Sequence, residues 1–218
     1  MDESSLKYVL TLHSIVDGDV SEDSCSVTNL LQPALSAPLR LYWVKDQERP
    51  IHSLPFDHVQ ESYCHLRSKA LQQRHAAPVG TTPYDMNVLY QFWSHFLTLN
   101  HNTQMYNEFR HFAMEDSTTK FTDVGLSSLI TFYGKTLLST QDLPRYRIIR
   151  HYVDLVKAET GPLRPAFEQL QSALRNDSVS FCKRQLIVDL LDDQLLAALV
   201  SRPYDIVASH RFTAPGPY

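Results

Sequence analysis

The chain has 218 residues, 43% of them hydrophobic and 20% charged, with a formal net charge of −4. These are globular proportions, and the negative balance excludes a general basic field, so any attraction for nucleic acid has to come from a local patch. Three widely spaced cysteines (Cys25, Cys64, Cys182) exclude a disulfide framework and a Cys-x-x-Cys metal site, and the apolar stretches fall short of the ~20 residues of a spanning helix.

Residues 1–50 read as an acidic extension, because Asp2, Glu3, Asp17, Asp19, Glu22 and Asp23 face only Lys7 among the first thirty. Within it, Tyr8–Val16 is β-branched and apolar, and Leu39–Val44 alternates, so the extension could carry a β-hairpin. Two strands alone are marginal in water, so such a hairpin would have to lean on the rest of the chain or on a partner. Pro50 and Pro55 mark a boundary. Phe56–Arg74 then reads as a helix with Phe56, Val59, Tyr63 and Leu66 on one face. Its far end carries Arg67, Lys69, Arg74 and His75, where cations complement the helix dipole.

Three stripes follow: Leu89, Trp93, Phe96 and Leu97; Met105, Phe109 and Phe112; then Leu126, Leu129, Ile130, Tyr133 and Leu137. The turns at 100–102 and 120–123 are short, which favours antiparallel neighbours. Gly134 offers a local break, although Leu137-Leu138 continues the pattern. Thr140-Gln141-Asp142 with Pro144 opens the next helix, whose expected buried stripe is Tyr146, Ile149, Val153 and Val156. Gly161-Pro162 closes it, and Leu163, Phe167, Leu170 and Leu174 make another stripe. Asn176-Asp177-Ser178 precedes a last helix running from Val179 to about Val200. Residues 202–218 form a Pro-containing tail. The expected fold is all-α: a HEAT-like stack of three antiparallel helix pairs over 51–201, following the short β-containing extension.

The run Leu89-Tyr90-x-Phe92-Trp93-Ser94-x-Phe96-Leu97, with Asn102, Met105-Tyr106-x-Glu108-Phe109, Ala113 and Glu115-Asp116, resembles the C-terminal tandem-repeat region of La-related protein 1. Gly125-Leu126-x-x-Leu129-x-x-Phe132-Tyr133 resembles the opening of the next repeat. Residues 88–133 carry the likeness best, with weaker extensions through 56–80 and 142–174. The resemblance implies an RNA-binding helical module that recognises the methylated guanosine cap and first nucleotides of certain mRNAs. Two tyrosines there sandwich the guanine, a carboxylate holds its edge, and basic side chains hold the phosphates. Position by position that pocket is degenerate here. The family's Tyr-Gly-Leu-Glu is Val124-Gly125-Leu126-Ser127 in this chain, and the second tyrosine falls near Arg164. Valine cannot stack, and Ser127 supplies no carboxylate.

For catalysis the sequence offers no nucleophile elbow, no phosphate-cradling glycine loop and no His-Glu-x-x-His helix. His95, His101 and His111 lack paired ligand spacing. The adjacent carboxylates Glu115-Asp116 and Asp192-Asp193 diverge by about 100° around a helix, which suits capping or solvation better than a dyad. No enzyme, metal or cofactor is expected. The remaining feature is a basic segment: Arg145, Arg147, Arg150, His151, Lys157 and Arg164, against Asp142, Asp154 and Glu159. It reads either as a solvated face with intrahelical pairs or as a phosphate-tracking stripe, with Arg164 able to stack on a base. Two functions stay open. One is RNA binding, at the 5′ end of mRNA, in cytoplasmic translation or mRNA stability. The other is a protein-interaction adaptor that uses a helical-repeat groove. No membrane partner is expected.

Overall fold

A computed structural model describes residues 7–11, 42–44, 50–51, 58–100, 102–139, 145–175 and 179–200. Four short strands precede the helices: β1 Lys7–Thr11, β2 Tyr42–Val44, β3 Pro50–Ile51 and β4 His58–Ser62. They form one sheet in the order β3-β2-β1-β4. Strand β1 runs antiparallel to β2, with Leu10 opposite Trp43, and parallel to β4, with Tyr8 opposite Val59.

Eight α-helices follow among the described residues: α1 Tyr63–Ala76, α2 Tyr84–Leu99, α3 Thr103–Glu115, α4 Val124–Leu138, α5 Arg145–Ala158, α6 Pro165–Arg175, α7 Phe181–Leu190 and α8 Asp193–Val200. A single π-helical turn, Asp116–Lys120, extends α3. The architecture is the all-α, HEAT-like helical repeat expected.

Two boundaries differ from the sequence reading. The first helix starts at Tyr63, not Phe56, because 58–62 pairs with β1 and Ser62 caps the helix by accepting from the His65 amide at 3.2 Å. Phe56 itself lies outside the described residues. The last helix is two helices. Leu191 takes an extended conformation, and the Asp192 carboxylate accepts from the Leu195 amide at 2.7 Å, which opens α8. Gly134 breaks nothing and is buried inside α4.

The chain divides into two compact units, Met1–Phe132 and Tyr133–Tyr218. The first is built on buried aromatics. Trp93 and Phe109 lie 5.6 Å apart between α2 and α3, Tyr106 meets Phe132 of α4 at 5.8 Å, and the Trp93 indole donates to Tyr63 Oη of α1 at 3.0 Å. Complete burial of rings this size contributes roughly 2–3 kcal/mol each. Gly125 lets α4 approach: a Cβ there would stand 2.7 Å from Tyr90 Cζ and 3.0 Å from the Ala113 backbone.

In the second unit, Tyr133 stacks on Tyr152 at 4.9 Å, and the Tyr152 hydroxyl donates to Gln169 Oε1 at 2.7 Å. Two residues predicted for the buried stripes are exposed instead. Tyr146 is 55% exposed and Leu163 is 82% exposed. Each stands at a helix end, where an apolar periodicity continues past the turn that has neighbours to pack on.

Burial pushes the phenols of Tyr90 and Tyr152 well above their ordinary value of 10.0, and the Asp116 carboxylate beside Tyr90 adds to the effect. The folded chain therefore keeps two phenolic protons that the unfolded chain releases above about pH 10. Stability is fully present below that pH and falls above it by up to about 2.7 kcal/mol per pH unit. Urea midpoints compared at about pH 9 and about pH 11 will show this drop, and Tyr152→Phe will reduce it.

Candidate nucleic-acid interface

An α-helix leaves its last four carbonyls without intrahelical partners, and a cation there is favoured both by hydrogen bonding and by the dipole. Five helices use this device. The Lys120 ammonium donates to Arg74 O at the end of α1. Lys183, 2% exposed, donates to Thr136 O at 2.7 Å, to Leu137 O at 3.0 Å and to Ser139 O, closing α4. Arg164 reaches Val156 O of α5 at 3.5 Å, Arg184 reaches Leu174 O of α6 at 3.0 Å, and Lys157 donates to Leu190 O of α7 at 2.6 Å. Lys183 and Arg184 did not stand out in sequence, because a capping cation is specified by a helix end distant along the chain.

This accounts for much of the predicted basic stripe. Lys157 is exposed, but its ammonium holds α7. Arg164 is half-buried, with its guanidinium 4.1 Å over the Phe167 ring and its Nε unpartnered in the interior. One face of the Arg164 guanidinium, expected to stack on a base, therefore already lies on Phe167. Glu159, counted among the opposing charges, instead accepts from the Ala166 and Phe167 amides at 2.8 Å each and caps α6.

The other members of the stripe lie in the first half of α5. Arg145 is its first residue, and Arg147 and Arg150 are exposed three residues apart on one side. His151 is half-buried and Asp154 is exposed one turn beyond Arg150. The first turn of α5 carries no acidic residue. Arg145 and Arg147, in that first turn, therefore sit against the dipole of α5, and their positive charge adds to that of the helix start.

The other basic run, at the end of α1, is structural. Arg67 forms a two-bonded fork with Glu108 at 2.8 Å and 2.8 Å, and Lys69 pairs with Asp85 at 2.9 Å. The Arg74 guanidinium lies 4.6 Å over the Phe112 ring and reaches Glu115 Oε2 at 2.7 Å and Asp116 Oδ1 at 2.8 Å. Burial alone would lower the Arg74 pKa, but these carboxylates reverse that and hold it raised. The acidic pair is thus an interhelical clamp, not a cap or a solvated patch. Asp116 is 2% exposed and also accepts from Tyr90 Oη at 2.6 Å.

Val124 is partly exposed at the first position of α4, and Ser127 is exposed one turn on. Neither supplies an aromatic face or a carboxylate. Sequence reasoning passed over Phe121, which is 75% exposed and held at φ 54 where the π-helical turn ends. Among the described residues, no group of three or more His, Cys, Asp or Glu could hold a metal ion, and no helix is long and apolar enough to cross a membrane.

The chain belongs to the LARP1 HEAT repeat region family, whose model matches residues 50–158. The resemblance read from the aromatic box and the acidic pair is thereby established. The match takes in β3, β4, α1 to α5 and the cations Arg145 to Lys157, and it stops short of Arg164. Most of the motif that revealed the family is the clamp and core of the first unit: Trp93, Glu108, Phe109, Glu115 and Asp116.

Proposed function

We propose that the chain is a non-catalytic RNA-binding module acting in cytoplasmic mRNA translation or stability, and that it grips the RNA backbone with the first two turns of α5. One observation carries the reading. Arg147 and Arg150 are exposed in the first two turns of α5, Arg147 in the opening turn where a cation is unfavourable to the helix, whereas Lys157 and Arg164 close helix ends. Membership of the LARP1 HEAT repeat region family supports it. Arg145 and His151 flank the pair. Cap recognition is absent in this reading, because Val124, Ser127 and Arg164 offer neither ring of the sandwich and no carboxylate for a methylated guanine.

Fluorescence anisotropy of a short capped RNA and its uncapped twin tests the proposal. Two phosphates on a single strand, at a slope of about −0.7 each, give roughly a sevenfold loss of affinity between about 50 and about 200 mM salt. Equal binding of both RNAs with that salt dependence supports the proposal. A preference for the capped RNA contradicts the loss of the cap site. Tyr133 and Tyr152 are buried against each other, so such a preference would direct attention to Tyr146.

A second reading rests on a different surface. The Gly80 amide donates to Lys120 O at 2.7 Å, which ties the segment carrying Val79, 66% exposed, to the one carrying Phe121, 75% exposed. An apolar pair displayed this way suits a protein-interaction adaptor. Absence of any RNA binding, with Phe121→Ser abolishing association with a protein, would favour that reading.

A further inference from the structure

We infer that Tyr146 is a base-stacking residue, so that the α5 site takes single-stranded nucleic acid and discriminates against duplex; this rests on the RNA-binding reading above. The helical periodicity assigned Tyr146 to the core, yet its ring is 55% exposed. Among the described residues it has no hydrogen bond, ion pair or ring contact. A lone exposed aromatic is ordinary on a protein surface. The neighbours of this one are not. Tyr146 precedes Arg147 directly and lies one helical turn before Arg150, on the same side of α5.

An exposed ring one turn before an exposed arginine, with a second exposed arginine on the adjoining face, suits the way proteins hold single strands: a π-face takes an unstacked base while cations follow the backbone. The four-residue step from Tyr146 to Arg150 advances about 6 Å along the helix, so the ring and the charge address neighbouring parts of one strand. Asp154 and the engaged Lys157 lie further along α5, which confines the strand to the first two turns. Bases in an A-form duplex are stacked and paired, and its deep major groove does not admit side chains. A duplex can meet the arginines but offers the ring nothing.

The test measures affinity for an uncapped single-stranded RNA and for a blunt duplex of the same length, with the wild-type chain, Tyr146→Ala and Tyr146→Phe. The expected result is tighter single-strand binding by the wild type, on the order of tenfold weakening by Tyr146→Ala, and near-full retention by Tyr146→Phe. The salt slope should be the same for all three, because the ring carries no charge; a fold defect would not preserve it. Equal wild-type affinity for single strand and duplex, with no effect of Tyr146→Ala, overturns the stacking role and leaves the RNA reading intact. Failure of the wild type to bind either RNA overturns both.

Discussion

Replacing Asp116 with alanine is expected to lower stability by about 3 kcal/mol, the low end of the cost of breaking a buried ion pair, because Glu115 stays on the Arg74 guanidinium. Asp116 Oδ1 accepts from Arg74 Nε and Oδ2 from Tyr90 Oη, and the residue is 2% exposed. Its removal leaves two donors facing a cavity that solvent scarcely reaches. Urea unfolding followed by circular dichroism gives the number. Asp116→Asn keeps the volume and one acceptor and should cost roughly half as much. In a double-mutant cycle, Arg74→Ala should cost less in the Asp116→Ala background than in the wild type, with a coupling of about 1.5 kcal/mol or more. A loss below about 1 kcal/mol for Asp116→Ala, or additive costs in the cycle, would show that the clamp is a spectator.

The second large effect is expected in the other unit. Lys183→Met removes the ammonium that closes α4 and leaves the carbonyls of Thr136, Leu137 and Ser139 without that donor. A hydrogen bond to a charged group is worth about 1.5–3 kcal/mol, and such bonds to one ammonium are not additive, so the expected loss is about 3 kcal/mol. Methionine matches the length and flexibility of the lysine stem, which isolates the cap from the packing. Gln185→Met, at an exposed site on the same helix, should change stability by no more than ~0.5 kcal/mol. Comparable midpoints for the two variants would mean that the α4 end has no need of Lys183.

The fold was legible where a local pattern coincides with the packing. The stripes around Trp93, Phe109 and Leu129 are helical, and all three side chains are fully buried. The family motif was legible too, although the local spacing of its acidic pair points to capping or solvation. Asp116 is fixed by Arg74, 42 residues earlier in the chain, and no local spacing encodes that partner. The same holds for Lys183, whose bonds span up to 47 residues. Errors clustered at element ends. The amphipathic pattern of Phe56–Arg74 carried through a strand whose partner is β1, and Tyr146 continued an apolar period beyond the turn where α5 has neighbours.

The candidate site was half legible for a related reason. A cation on a helix face looks the same in sequence whether it meets solvent or another helix's last carbonyls. Lys157 and Arg150 are seven residues apart, share a stripe and are both exposed, yet Lys157 donates to Leu190 O at the end of α7 while Arg150 stands in the N-terminal half of α5. What separates them is where the head group ends: each capping cation reaches a helix's last carbonyls, Lys183 and Arg184 doing so from the first turn of α7, while Arg147 and Arg150 are exposed in the N-terminal half of α5.

RNA affinity of an Arg147→Gln/Arg150→Gln variant, read beside its urea midpoint, tests that division most directly. The account predicts a loss of affinity on the order of tenfold with a salt slope reduced by about 1.4, the share of two phosphate contacts on a single strand. The unfolding free energy from the urea transition should change by less than about 1 kcal/mol, as expected for exposed charges. Unchanged affinity and slope, with RNA binding intact in the wild type, would contradict the assignment of the α5 arginines to the RNA backbone.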